Sequence, residues 1–516
     1  MRVLLINSNL KDDVLAAPPI GLCYVATAAD MAGHEIQVLD LCFRRRPLQD
    51  LDAALRDFEP QVVGVSVRNI DNVNMLYPTS YLPMVRKIVR RIRERSDATI
   101  VIGGAGASIN PEHVCRYLEA DYVVVSEGER SFVSLLRALE DGTGADDLSG
   151  VGYIRGDRFR YVRARLQDFP LGNPDLGKWI DVKPYSRIGS SYSIQTSRGC
   201  RHRCVYCVYP VIEGHQIRWR SPSDVVDEIE DAHGRFGAQE FEFVDSVFNE
   251  SQDHAAAILE EVIRRSLKVG LTAMGISPRG LDSQFLDLMW RAGFRSFMLS
   301  PESASEELMK NYGKNLDKDD IVRAAEAINR TRMTTLWYFL LGGPGETNDT
   351  LQETLDFVLH YLKKETHPPY HNVNMFLGIR IYPGTVLWNR ALKEEMVSAE
   401  ADPIEQCWYI SHGLDLNRAI RQMREAAAVC PELHLGSDEG YMALSKVVAF
   451  FGELLGMPKP YWRHIWGLNR LLMKFGLRSF LGTRDMEGVV KNALVRQGYR
   501  GPHLAGFSSS HEPGRD

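Results

Sequence analysis

The chain has 516 residues, 44% of them hydrophobic and 25% charged, with a formal net charge of −6. That length exceeds what one core supports, so roughly two to four domains are expected, and the charge balance excludes a nucleic-acid protein held by bulk electrostatics. Eight cysteines are too few for a disulfide framework, and no apolar run reaches the ~18 residues of a membrane span. The opening residues, Met1 to Asn7, read as a short strand and not as a signal peptide, so a reducing cytoplasm is the expected compartment.

Residues 1–142 alternate short apolar runs at 3–7, 35–40, 62–67, 99–102 and 122–125 with helical stretches at 21–32, 48–58, 82–94 and 111–118. The runs are β-branched and mostly lack polar alternation, as strands covered on both faces should. This predicts a Rossmann-like (flavodoxin-like) parallel sheet with a ligand crevice at the carboxyl ends of its strands. Those ends carry Pro18-Pro19-Ile20-Gly21, Ser66-Val67-Arg68-Asn69, Gly103-Gly104-Ala105-Gly106 and Ser126-Glu127-Gly128-Glu129. Glycines there let a bulky ligand approach the backbone; tight turns in an ordinary flavodoxin-like domain are the alternative. Residues 143–185, rich in Gly, Asp and Pro, read as a linker with a hairpin at 152–162.

Residues 186–400 repeat strand then helix, with strands at 192–197, 240–244, 271–276, 294–299, 335–341 and 373–381. Helical stretches at 223–233, 253–266, 282–291, 319–329 and 351–362 separate them. The pattern predicts a partial (β/α)6 barrel of the TIM type, with functional groups at the carboxyl ends of the strands. The first strand leads into a loop carrying Cys200, Cys204 and Cys207. That spacing lets three thiolates converge on one small inorganic cluster, and on a four-iron cluster it leaves one iron open. A zinc site would want a fourth ligand or a catalytic water, with His202 inside the loop as the candidate. A disulfide would strand an odd thiol.

Other strand ends carry Asp245-Ser246-Val247-Phe248-Asn249, Pro301-Glu302-Ser303, Gly342-Gly343-Pro344-Gly345-Glu346-Thr347 and Tyr382-Pro383-Gly384-Thr385. Taken singly these are turns or caps, and Thr347 and Thr385 suit helix N-caps. Residues 401–516 read as a mainly helical C-terminal domain containing Trp408, Tyr409, Tyr461, Trp462 and Trp466. It either closes the open side of the barrel or simply packs against it, and 508–516 reads as a disordered tail. The scattered Cys23, Cys42, Cys115, Cys407 and Cys430 read as buried structural thiols.

The cysteine spacing, with Tyr206 before the last cysteine, and the ordered strand-end segments resemble the radical S-adenosylmethionine (SAM) superfamily. The segments of the first domain resemble the cobalamin-binding domain that precedes many radical SAM domains. The chain thus resembles the cobalamin (B12)-binding radical SAM family, class B radical SAM methyltransferase-like. The resemblance implies a [4Fe-4S] cluster on Cys200, Cys204 and Cys207. It implies SAM chelating the open iron, near Tyr206, Glu302, Ser303, Gly342, Gly343, Pro344 and Gly345. It implies cobalamin near Asn7, Gly21, Ser66, Arg68, Asn69, Gly103, Gly104, Ala105, Gly106, Glu127 and Gly128. Two departures stand out. The segment Asn7-Ser8-Asn9-Leu10-Lys11-Asp12 has no histidine to ligate cobalt, and Ser300 stands where the family has glycine before Glu302.

The implied activity is methylation of an unactivated carbon of a small molecule or natural product. A 5′-deoxyadenosyl radical takes a substrate hydrogen, methylcobalamin gives the methyl, and a second SAM restores it. Relatives that cyclise, contract or oxidise rings offer an alternative, and a non-catalytic cobalamin or SAM sensor a third reading. An electron donor such as flavodoxin or ferredoxin is the implied protein partner, with no nucleic acid and no membrane span. The sequence names neither the substrate nor further catalytic residues.

Overall fold

The computed structural model describes residues 1–10, 16–166, 172–364, 370–435, 439–475 and 485–504, and the elements below lie within them. The first sheet runs Glu35–Asp40, Arg2–Asn7, Val62–Ser66, Thr99–Gly103 and Tyr122–Val124, all parallel. Its physics is visible in the interior strand Arg2–Asn7. Leu4 and Ile6 enter one core with the helices Pro47–Phe58, Leu82–Arg95 and Pro111–Leu118. Val3 and Leu5 enter another with Ile20–Met31 and Gly128–Glu140. All four side chains are buried, each contributing about 1.5–3 kcal/mol. Strand order reverses between Arg2–Asn7 and Val62–Ser66, which opens the crevice of a doubly wound sheet there.

The hairpin expected at 152–162 forms as Val151–Arg155 and Arg158–Tyr161. It is not free-standing: it pairs antiparallel with Tyr122–Val124 and extends the first sheet.

The second body pairs Tyr192–Ile194, Glu240–Phe243 and Gly270–Ala273 in parallel, and Ser296–Glu302, Thr334–Leu341 and His371–Leu377 likewise. Bridges Leu271–Phe294 and Ile276–Leu299 join the two groups into one curved parallel array, the expected partial barrel. A further strand, Leu433–Leu435, pairs parallel with His371–Leu377. It comes from the region expected to be mainly helical, and covers an edge whose N–H and C=O groups would otherwise lack strand partners. Trp408–Tyr409 likewise pairs with Ile379–Arg380. The rest of that region is largely helical: Leu416–Val429, Glu439–Leu454, Ile465–Lys474 and Met486–Arg496. The tail expected to be disordered, 508–516, and the Trp466 side chain lie outside the described residues.

Thr347 and Thr385 cap helices as expected, accepting from Thr350 N and Trp388 N. The five scattered cysteines are buried.

Buried charges lock the two bodies together. Arg380 Nε donates to Asp71 Oδ2 at 2.9 Å, the side chains 3% and 1% exposed. Arg198 meets Glu129 at 2.6 Å, both 7% exposed, and lies over the Tyr24 ring. Arg218 pairs with Glu127, and Ser126 Oγ donates to the Ile212 carbonyl. The barrel mouth is therefore fixed against the carboxyl ends of the first sheet.

Candidate active site at the domain junction

The cysteine loop leaves the first barrel strand under tight control. Asp245 Oδ1 accepts from Thr196 N at 2.9 Å, Ser197 N at 2.5 Å, Thr196 Oγ1 at 3.1 Å and Ser197 Oγ at 2.9 Å. Burial pushes the Asp245 carboxyl up to about 6, against those hydrogen bonds. Gly199 then turns with φ +99°, and any Cβ there would run into the Gln216 carbonyl. Gly313, φ +69°, forms the opposite wall: a Cβ would stand 2.6 Å from the Arg203 carbonyl oxygen. Val205 N donates to Tyr312 O at 2.9 Å, and Leu387 N to Val205 O at 2.8 Å. The loop is thus pinned on three sides.

The three thiols share one electrostatic neighbourhood. Burial raises all three pKa values, that of Cys207 to about 12, where Cys204 and Cys200 add to the rise and Lys314 opposes it. Among the described residues no three His, Cys, Asp or Glu are set about a single metal ion. That geometry is not what a cluster asks for, since each thiolate of a cluster binds a different iron. The donor set, three thiols beside the partly buried Lys314, suits a cluster.

Glu302 and Lys314 form the polar floor beside the loop. Tyr206 Oη donates to Glu302 Oε1 at 2.9 Å, and Lys314 Nζ lies 3.1 Å from the same oxygen. Burial opposes the charge on Lys314, but Glu302 and the cysteine thiolates raise its pKa. Glu302 holds φ +69°, a left-handed conformation that a non-glycine residue rarely adopts and that clusters at functional sites. Ser303 is tied inward: its Oγ lies 3.1 Å from Thr354 Oγ1 and accepts from Ser305 N at 3.0 Å.

The glycine-rich segment 342–345 is organised by its own glutamate. Glu346 is fully buried, and its Oε2 accepts from the Gly342 and Gly343 amides. Burial lifts its carboxyl to about 8 against those bonds. Tyr312 packs so closely on Gly343 that a Cβ would collide with its ring, and Pro344 is buried beside them. Gly345, φ +82°, abuts Asn311.

The first-domain candidates divide into four groups. Gly21, Arg68, Asn69 and Ala105 are exposed. Asn7 is buried, its Nδ2 donating to Asp40 Oδ1 at 2.8 Å and to Tyr185 Oη at 3.4 Å, while the Ser66 carbonyl accepts from Ser8 Oγ at 2.6 Å. The remaining glycines answer to protein packing. A Cβ on Gly104 or Gly106 would stand 2.8 or 2.9 Å from the Val67 carbonyl oxygen; one on Gly128 would meet Val25 at 2.9 Å, and one on Gly103 would touch Val124 at 3.5 Å. Glu127 is engaged by the barrel's Arg218.

Sequence reasoning missed Lys314 and Arg198 as contributors. Lys314 sits in the plain segment Asn311-Tyr312-Gly313-Lys314, which carries no signal, whereas Arg198 precedes Gly199-Cys200 and could have been flagged by that adjacency.

Comparison with known proteins agrees with this geometry. Residues 13–136 match the B12 binding domain model and 194–358 the Radical SAM superfamily model. The tryptophan 2-C-methyltransferase of Streptomyces laurentii is 26% identical over 448 residues, covering 74% of this chain and 73% of that one. The cytidylyl-2-hydroxyethylphosphonate methyltransferase of Streptomyces wedmorensis is 25% identical over 429 residues, covering 69% and 76%. The radical SAM methyltransferase TsrM of Kitasatospora setae, solved with tryptophan substrate and the SAM analog aza-SAM, superposes with a TM-score of 0.80 at 24% identity, over 92% of this chain and 99% of that one. Two domain matches in this order on one chain define its class: the protein belongs to the cobalamin-binding radical SAM family.

Two expected results arise here. Glu302→Ala removes the acceptor shared by Tyr206 and Lys314, so it should weaken SAM binding or misdirect cleavage while iron content is unchanged. Electron paramagnetic resonance (EPR) titration of the cluster with SAM checks this; a response at the parent's concentration with parental turnover would show the strand end is misassigned. Gly104→Ala should destabilise the fold by about 1–3 kcal/mol, because the residue holds φ +96° against the Val67 carbonyl. Gly104→Trp should in addition abolish corrinoid binding. Urea denaturation and corrinoid absorption read the two effects, and an Ala variant as stable as the parent would contradict the packing argument.

Proposed function

We propose that this protein is a cobalamin-dependent radical SAM methyltransferase acting on a small molecule at unactivated carbon. One observation carries the reading: the strand that leads into the cysteine loop is clamped to the first domain through Arg198 and Glu129, at 2.6 Å. A group held by the loop and a group held on the first sheet then face one substrate space. The relatives named as methyltransferases support the same reaction class, and they include one acting on tryptophan and one on a cytidylyl phosphonate.

The proposed units are residues 1–142 for cobalamin, 186–400 for the radical SAM core and 401–516 for the C-terminal region, with 143–185 between the first two and its hairpin continuing the first sheet. Cys200, Cys204 and Cys207 hold the [4Fe-4S] cluster, while Asp245 and Gly199 aim the loop. Tyr206 packs near the adenine of SAM, Glu302, with Lys314 beside it, and Ser303 approach its methionine or ribose, and 342–345 supply a backbone wall made rigid by Glu346. The exposed Arg68, Asn69, Gly21 and Ala105 offer cobalamin a surface at the carboxyl ends of the first sheet. The 103–106 turn, held against Val67, fixes the depth of that surface. When bound, the cluster with SAM supplies hydrogen abstraction and cobalamin supplies the methyl group. The chain's own work is to bind, orient and exclude water, and a misplacement of a reacting atom by 1 Å can lower the rate about a hundredfold.

No helix among the described residues is long and apolar enough to cross a membrane. An oxygen-labile cluster needs a reducing compartment, which supports a cytoplasmic setting and a flavodoxin- or ferredoxin-like electron donor. Anaerobic reconstitution with SAM and candidate substrates tests the reading by mass spectrometry. Methylation yields S-adenosylhomocysteine together with 5′-deoxyadenosine; 5′-deoxyadenosine alone, with an unmethylated product, would select the cyclising or oxidising alternative.

A further inference from the structure

Trp337 and Phe339 pack against Phe357 of the helix Asn348–Phe357, with ring centroids 5.9 and 6.3 Å apart. Successive strand residues point to opposite faces, so Leu336, Tyr338 and Leu340 face the barrel interior. The parallel register sets Ser296 and Met298 on one flank of that strand, and Asn372, Asn374 and Phe376 on the other, on the same interior face. Glu242 shares this lining: its charge acts on the Tyr338 hydroxyl, and Thr272 stands opposite it on the neighbouring strand.

Part of this lining is polar and unsatisfied. Thr272 Oγ1, Ser296 Oγ, both amide atoms of Asn372 and Asn374 Oδ1 are buried without a hydrogen-bond partner. Their residues are between 0% and 4% exposed. Left alone, each such group costs about 1–3 kcal/mol, so several on one face mark a surface built to be filled. Glu242 makes no hydrogen bond or ion pair among the described residues. Burial lifts its carboxyl to about 7, with Arg68 of the first domain opposing. None of the described residues at these interior register positions is Lys or Arg, and Arg68 already acts on Glu242, so a second carboxylate or a phosphate set against Glu242 would meet a like charge. Tyr338 and Phe376 stand 6.2 Å apart at an interplanar angle of 27°, offering a shared ring face, with the Met298 sulfur 4.0 Å from the Tyr338 hydroxyl.

We propose that the barrel interior holds the substrate by an amine or N–H donor directed at Glu242, with a flat ring beside Tyr338 and Phe376 and no carboxylate or phosphate at that end. This rests on the small-molecule reading above. Asn374, opposite Tyr338, and Asn372, two residues before it on the strand that carries Phe376, can each donate or accept, and so complete the contacts of a small polar ring. Glu242 in its ionised form only accepts, which makes it the selective group.

Two matched probes test the inference by calorimetry on the reconstituted holoenzyme. Tryptamine carries a ring and an ammonium; indole-3-propionate carries the same ring and a carboxylate. Tryptamine should bind at least tenfold more tightly. E242Q should weaken tryptamine by about ten- to hundredfold, the worth of a hydrogen bond to a charged group, and leave indole-3-propionate unchanged or tighter. Iron content and corrinoid absorption should be those of the parent. Equal affinities, or no tryptamine binding at millimolar concentration, overturn the inference. Iron loss in E242Q overturns it as well, by assigning Glu242 to the cluster. In each of these cases the methyltransferase reading stands as long as the parent holds cluster and corrinoid and cleaves SAM. A parent that does none of these sinks that reading instead.

Discussion

Cys200→Ala, Cys204→Ala and Cys207→Ala should each reduce 5′-deoxyadenosine formation to background. The argument is one of ligand count. A four-iron cluster held by three thiolates has no spare protein ligand, and a solvent oxygen does not replace a lost sulfur. The loop offers no substitute. Its histidine is already engaged, with His202 Nε2 3.0 Å from Glu250 Oε2. Cys115→Ala and Cys430→Ala are the matched controls, since both thiols are buried outside the loop. Cys115 Sγ lies 3.4 Å from the Ala120 carbonyl, and Cys430 Sγ lies 3.5 Å from Glu432. These two variants should lose some stability and keep both cluster and cleavage. Iron and sulfide content, the EPR spectrum of the reduced protein and 5′-deoxyadenosine yield decide the matter. A full cluster with near-normal cleavage in any of the first three variants would remove the loop from its assigned role.

Much of this architecture is legible in the residues, for a physical reason. Strands covered on both faces need unbroken apolar runs, so Leu4, Ile6, Val3 and Leu5 announce both the strand and its two cores. Caps are equally local: Thr347 and Thr385 declare their helices because a hydroxyl must meet an orphan amide. What the sequence hides is set by contacts distant along the chain. Glycine at 104 and 106 looks like room for a ligand, yet the close approach is to the Val67 backbone, some 40 residues earlier. Lys314 joins the site only because its loop folds against the cysteines. The strand Leu433–Leu435 is short and sits among helices, so only the open barrel edge explains it. The polar interior of the barrel is hidden too, because Glu242, Tyr338 and Asn374 share a face only through register.

Arg198→Met should lower the free energy of unfolding by about 3–5 kcal/mol, the range for removing one partner of a buried ion pair. Arg198 is 7% exposed, as is Glu129, and Glu127 lies 3.8 Å away. Burial disfavours the guanidinium charge, but Glu129, Tyr24 and Glu127 outweigh it, so the side chain stays protonated. Methionine fills much of the same volume and leaves Glu129 as an uncompensated buried carboxylate. The double variant Arg198→Met/Glu129→Gln removes that stranded charge and should recover more than half of the loss. It should not recover all of it, because the stack on Tyr24 is gone as well. The functional consequence separates this pair from an ordinary structural one. Arg198 precedes Gly199 and Cys200, so loosening it frees the cluster loop from the first domain. SAM cleavage should then survive better than methyl transfer, and the ratio of S-adenosylhomocysteine to 5′-deoxyadenosine should fall. A loss of stability within about 1 kcal/mol, the range of a surface pair, together with an unchanged product ratio, would show that the clamp does not couple the domains.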